Sequence, residues 1–241
     1  MKKKWTYTLL YMILSVPISL MAQRDTPTLQ AMADKQSSYI SLNALTFLNT
    51  YNQRWRVGYI QQLKPRWKVG LDVGYGNRAL CFGIYKDNVG KGYQLWEIRP
   101  ELYYSLGSKG RYEQYLSLEL FYIHHKEQIS LESYQAKDGT SIRFDTANYF
   151  RQKYGYHLKY GLFRQSKKRL TINMYTGIGL RIRNNQYSEV LNPRDNVYEA
   201  TCGWLFTENY KKVEGSALGV NVSLGLKLCY KLKQGKTRQR F

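Results

Sequence analysis

No stretch of this sequence stays apolar for the roughly 18–20 residues that a helix needs to cross a bilayer. Its best candidate, Leu9 to Leu20, is interrupted by Ser15, Pro17 and Ser19. An ordinary helical membrane protein is therefore excluded. Proline is scarce, with 5 residues, and so is cysteine, with 3. Those counts exclude a proline-rich linker and a miniprotein stapled by disulfides. There is no Walker loop, dinucleotide fingerprint, zinc-protease motif, HxxH or CxxC, so no cofactor and no metal is expected. Acidic residues are also few: 17 Asp and Glu stand against 37 Lys and Arg, a formal charge of +20.

Aromatics and glycine are abundant instead, with 23 Tyr, 8 Phe, 5 Trp and 19 Gly. That mixture suits strands and turns better than helices. Met1-Lys2-Lys3-Lys4, the short apolar stretch and Leu20-Met21-Ala22 together read as a signal peptide over 1–22, cut after Ala22. An uncleaved anchor is the alternative, but the apolar stretch is short for one. A lipoprotein would need a cysteine directly after the cut, and the first is Cys81. Losing Lys2, Lys3 and Lys4 lowers the charge from +20 to +17. An exported chain of that charge is expected to meet the phosphates of outer-membrane lipid and lipopolysaccharide and no nucleic acid.

Residues 23–37 read as a flexible lead and 233–241 as a basic periplasmic tail. Between them, over 38–232, a period of two takes over. Trp67, Val69, Leu71, Val73 and Tyr75 alternate with Lys68, Gly70, Asp72, Gly74 and Gly76. The same alternation marks Trp55 to Tyr59, Trp96 to Tyr104, Leu116 to Tyr122, Tyr154 to Leu162, Leu170 to Ile182 and Leu218 to Tyr230. A first, weaker strand is expected over Tyr39 to Leu48. The fold class expected is thus all-β: an eight-stranded antiparallel transmembrane β-barrel with both termini periplasmic. Short turns at Lys64-Pro65-Arg66, Gly107 to Arg111 and Arg164 to Lys168 fall on one side. Long connections at Asn77 to Gly92, Glu127 to Asn148 and Asn184 to Ser216 fall on the other. Lys137-Asp138-Gly139 reads as a hairpin tip.

Volume decides which face looks outward. Eight strands enclose a lumen only just wide enough to be filled by side chains. Trp, Leu, Ile and Tyr from every strand would overfill it, whereas the opposite face supplies Gly58, Gly70, Gly74, Gly155, Gly161, Gly177, Gly179, Gly219 and Gly225. The apolar face is therefore expected to meet lipid, with Trp and Tyr near the strand ends as girdles. A charge network of Asp72, Glu97, Glu101 and Glu119 with Arg54, Arg56, Arg99, Lys153, Lys159, Arg181 and Lys227 is expected to plug the lumen. A water-filled pore is the alternative.

Chemistry is sparsely signalled. His124-His125 closes the fifth strand in this reading, and Ser130 and Ser133 lie in the loop beyond. A lipid-modifying enzyme would use such residues, but none is spaced to act as nucleophile and base. His157, between Lys153 and Lys159 on the lumen face, is a packed residue or a titrating one. The segment Asn184 to Ser216 carries Tyr187, Arg194, Tyr198, Trp204, Phe206 and Tyr210. These residues are the candidate contacts to a surface or periplasmic protein partner, or a self-packed cap over the barrel mouth. Cys81 and Cys202 fall in loops on the same side and form a candidate disulfide.

Trp96-Glu97-Ile98-Arg99-Pro100-Glu101-Leu102 resembles a signature of small outer-membrane barrels of Bacteroidota, grouped as a domain of unknown function. Gly177-Ile178-Gly179-Leu180-Arg181 and Ser223-Leu224-Gly225-Leu226-Lys227-Leu228 look like that family's closing strands, although Cys229 stands where the pattern often has Gly. Some members are encoded beside fimbrial genes. The resemblance implies a non-enzymatic barrel that anchors or recruits a surface adhesin partner. A purely structural envelope barrel and an outer-leaflet lipid-modifying enzyme are the competing expectations.

Overall fold

The computed structural model describes residues 37–46, 52–81, 89–165, 169–195 and 213–232. These residues belong to one compact unit, Gln36–Phe241. The expected signal peptide, most of the lead and the tail lie outside the described residues.

Wherever the sequence alternates, the chain is extended. The strands are β1 (Ser38–Asn43), β2 (Trp55–Lys64), β3 (Trp67–Asn77), β4 (Lys91–Lys109), β5 (Tyr112–Ser130), β6 (Ser133–Gln135), β7 (Ser141–Arg143), β8 (Thr146–Gln165), β9 (Leu170–Leu191), β10 (Arg194–Asp195) and β11 (Gly215–Lys231). Eight of them form an antiparallel ring in the order β1-β11-β9-β8-β5-β4-β3-β2. β1 closes it, pairing β2 through Leu42↔Val57 and β11 through Leu42↔Leu228. The other three make a small sheet ordered β10-β7-β6. Among the described residues no helix is long and apolar enough to cross a membrane.

The expected first strand is cut short. β1 stops at Asn43, and a 3-10 turn, Ala44–Thr46, comes next. The period of two fails there, because Leu45 falls out of phase with Ile40 and Leu42. Thr46 turns inward instead, its hydroxyl donating to the Asn43 carbonyl at 2.9 Å. At the other extreme, β5, β8 and β9 run well past their apolar stretches. His124-His125 therefore lies inside β5, not at its end, and Asn184 to Leu191 is strand, not loop. The β4–β5 ladder skips Arg99 and Pro100 without losing register, as expected where Pro100 has no N–H to donate.

The short connections, after β2, β4 and β8, gather at one end. The start of β1 and the finish of β11 join them, since Tyr39 pairs with Lys231 and the Lys231 amide donates to the Arg169 carbonyl at 2.7 Å. The long connections leave from the opposite end. There the Lys137-Asp138-Gly139 tip joins β6 to β7 as the sequence suggests, and the Asp138 carboxylate accepts from the Thr140 amide at 2.9 Å.

The two faces of the ring are chemically opposite. Leu158, Val220 and Leu224 are 60%, 60% and 73% exposed on the outside, whereas Glu97, Glu119 and Lys159 are 2%, 1% and 1% exposed within. The outward apolar stretches run from Trp67 to Tyr75 on β3, Trp96 to Leu106 on β4 and Leu116 to His124 on β5. Each is about the 9–11 residues a tilted strand needs to cross hydrocarbon.

Candidate functional site

The lumen holds the densest chemistry of the chain. Strand alternation sends Arg56 of β2, Lys68 and Asp72 of β3, Glu97, Arg99 and Glu101 of β4, Glu119 of β5, Lys159 of β8 and Lys227 of β11 inward; Arg54, just before β2, joins them, and all are buried. Any one of these charges would be prohibitively costly to bury alone. They are instead linked by ion pairs, most of them in one zigzag. Glu97 accepts from Arg54 Nε at 2.7 Å, Arg56 Nε at 2.5 Å and Arg99 Nε at 2.9 Å. Arg99 reaches on to Glu119 at 2.8 Å, and Glu119 meets Lys159 at 2.5 Å. Lys159 also contacts Glu101 at 3.3 Å, and Lys227 joins Glu101 at 3.0 Å to Asp72 at 2.8 Å.

Register explains why Lys159 is where it is. Glu101 and Glu119 face one another directly across β4 and β5, a like-charge pair that would push the strands apart. The Lys159 ammonium bridges both. Asp72, Glu101 and Glu119 bring ligand oxygens within 4.8 Å of one another, a spacing a metal ion could use. The Lys159 and Lys227 ammonium groups already stand among them, so the cluster is an ion-pair network.

Below the charges, toward the short turns, Ile60, Tyr103, Tyr115, Phe163, Tyr175 and Cys229 form a buried aromatic layer. Tyr103 and Tyr115 meet edge to face at 5.2 Å, and Lys68 sits 4.4 Å over the Phe163 ring while pairing with Glu113 at 2.5 Å. Two glycines make this layer fit. A Cβ at Gly161 would overlap the Tyr115 ring, and one at Gly225 the Tyr175 ring. Above the charges lies a second layer of Val89, Tyr93, Leu95, Phe121 and Ile123.

Of the residues expected in the network, Lys153 and Arg181 sit at its outer edge, both donating to the Asn221 side-chain oxygen, at 3.4 and 3.2 Å. His157 is packed among them: Nδ1 lies 2.9 Å from Glu119 and Nε2 lies 2.6 Å from the Asn221 amide. Arg151, which shares their parity, is not singled out by the sequence because it lies beyond the stretch with a clean period. It is 2% exposed and donates to Asn52 at 2.5 Å. A cavity of about 270 Å³ opens between these groups and the 3-10 turn, lined by Asn43, Arg54, Arg56, Arg99, Arg151 and Lys153 among others.

Beyond the apolar belt, β5, β8 and β9 rise with a core of their own. Ile129, Tyr134, Phe144, Ala147 and Tyr149 are buried there, with Tyr187 packed against them. Tyr187 stacks on Tyr134 at 4.0 Å, and burial raises its hydroxyl above the ordinary tyrosine value. The ring is turned into the extension, through which β9 continues. Arg194 is exposed and pairs with Asp145 at 3.7 Å. Tyr198, Trp204, Phe206 and Tyr210 lie outside the described residues, as does Cys202. Cys81, its candidate partner, is a buried free thiol that donates to the Asn77 carbonyl at 3.3 Å. His124 faces outward between rings, stacked on Trp96 at 5.4 Å and edge-on to Phe150 at 4.6 Å.

No family model matches the chain, and no curated protein does. Among solved structures, it is similar to a major outer membrane protein from Thermus thermophilus, with 12% identity and a TM-score of 0.42, over 82% of this chain and 99% of that one.

Proposed function

We propose that this chain is a non-enzymatic outer-membrane barrel, plugged along its lumen, that offers its outer extension to a surface protein partner. The observation that carries the reading is the inversion of its two faces. Val57, Leu71, Val73, Ile98, Leu102, Leu118, Leu158, Ile178, Val220 and Leu224 are exposed on strands all around the ring, while the ion pairs lie within. An apolar surface of that extent does not persist in water, and strands paired side by side around a ring satisfy one another's backbone groups in lipid wherever they pair. The short turns and both ends of the ring then lie in the periplasm, with the extension outside.

The recruiting role rests on the extension. Strands that only crossed the membrane would end near the aromatic girdle. β5, β8 and β9 continue and build a separate apolar core, which supports a role for the extension beyond the membrane. The kinship with the small barrels of Bacteroidota, and an adhesive filament as partner, belong to this reading.

Two experiments test it. The folded chain should run faster on a gel unheated than boiled and should fractionate with the outer membrane; a soluble periplasmic product overturns the barrel. Removing residues 196–212 should abolish crosslinking of a surface protein in intact cells while leaving the gel shift. Unchanged crosslinking overturns recruitment.

A further inference from the structure

We propose that the short-turn end of the ring is a docking surface for the headgroups of anionic phospholipid in the leaflet it meets. That placement beside a leaflet rests on the barrel reading. Lys64, Arg66, Arg111, Arg164 and Arg169 are all exposed at this end, and among the described residues none of them is paired with a carboxylate. The three short connections, 65–66, 110–111 and 166–169, contain no Asp or Glu. Glu113, at the same end, faces inward and is held by buried Lys68 at 2.5 Å. The opposite end differs: Glu132, Asp138, Asp145, Glu189, Asp195 and Glu214 stand there among the cations. Among the described residues, unmatched positive charge therefore gathers at the short turns. Such a one-signed surface attracts an anionic partner.

The position of the arginines identifies that partner. Arg66 donates to the Tyr104 hydroxyl at 3.3 Å, and Arg169 donates to the Tyr230 hydroxyl at 3.1 Å. Arg164 lies 5.7 Å over the Tyr112 ring. Tyr104 packs against exposed Trp67 with ring centres 4.9 Å apart, and Tyr230 is itself exposed, so both rings belong to the outer, apolar face. A guanidinium held by such a hydroxyl sits where the apolar belt ends, at the depth of lipid phosphates. Each spends a single N–H on its tyrosine, and the rest of its fork matches phosphate oxygens. Every cation so placed adds to the attraction of an anionic leaflet. A soluble acidic peptide or a nucleic acid would need the same charge. It would not need that charge interleaved with Leu63, Trp67 and Tyr112, which are exposed beside it.

The test uses the full chain folded into phosphatidylcholine vesicles at about 0.15 M salt, where remote surface charges are screened. A small share of the lipid is brominated, either as phosphatidylglycerol or as phosphatidylcholine, and tryptophan emission reports which lipid gathers beside the protein. Trp67 reads the short-turn end, whereas Trp55 and Trp96 both pair with Tyr75 near the other. Quenching by the brominated phosphatidylglycerol should exceed that by the brominated phosphatidylcholine. Trp67→Phe should remove the excess, and Trp55→Phe with Trp96→Phe should leave it. Arg66→Gln and Lys64→Gln, each checked for the gel shift, should lower the phosphatidylglycerol enrichment about fivefold, with quenching by phosphatidylcholine unchanged. Lys126→Gln removes the same charge from the opposite end and should change nothing. Equal quenching by the two lipids leaves the ring in the membrane but overturns the docking surface, and it is the result expected if the cations serve a soluble acidic partner. A loss in Lys126→Gln equal to that in Arg66→Gln, or an excess that survives Trp67→Phe, overturns it too. Quenching by neither lipid removes the barrel, and the docking surface with it.

Discussion

Among the described residues Lys159 alone contacts both Glu101 and Glu119, whereas Arg99 and Lys227 each pair with one of them. The register forces those two carboxylates face to face, and Lys159 lies between them. Lys159→Met should leave that pair buried and opposed, at a cost of about 3–5 kcal/mol. Urea unfolding in vesicles measures it. Combining the change with Glu119→Gln should recover part of the loss, and a strictly additive pair would contradict the bridge. Gly225 makes the opposite point, about volume. Gly225→Val sets a side chain into the Tyr175 ring and should cost about 1–3 kcal/mol by overpacking, while Gly219→Val, with only the Arg181 side chain near, should cost less. The inward membership of Glu97, Glu101, Glu119, Lys159 and Lys227 was legible in the sequence, since parity alone assigns it. Their pairing was not. Which carboxylate faces which depends on the stagger between strands, and nothing in a single strand encodes that.

At the scale of elements, legibility follows how cleanly a strand separates its faces. β3 and β4 separate apolar from polar along their centres, and their expected stretches stand. β9 separates them only to Ile182. Arg183, Asn184, Asn185 and Gln186 are polar on both faces, so the strand's continuation to Leu191 reads as loop. What holds that continuation extended is a ladder to β8 and the packing of Tyr187, neither visible locally. Tyr134→Ala, which removes the ring stacked on Tyr187, should therefore loosen the extension by on the order of 3 kcal/mol. Limited proteolysis should then cut beyond the belt and leave the ring intact; cleavage within the ring would contradict their independence. On the belt itself, Leu118→Arg at the middle of β5 should destabilise the chain in vesicles by about 2–4 kcal/mol, the cost of a cation at the bilayer midplane.

For the whole molecule, two layers of packed side chains with an ion-pair zigzag between them leave the lumen a plug. Planar bilayers containing the chain should accordingly show no stable conductance, and steady single-channel steps would contradict the plug. The architecture as a whole was legible because one feature, which face carries glycine and charge, repeats on every strand. The outward placement of Trp55, Trp67 and Trp96 offers the most direct check on that inversion. The folded chain is reconstituted in vesicles whose acyl chains carry bromine near the headgroup, and its tryptophan emission is compared with that in unbrominated lipid. Deep quenching is expected, because these rings would touch the acyl chains. Equal emission in the two lipids would contradict the account.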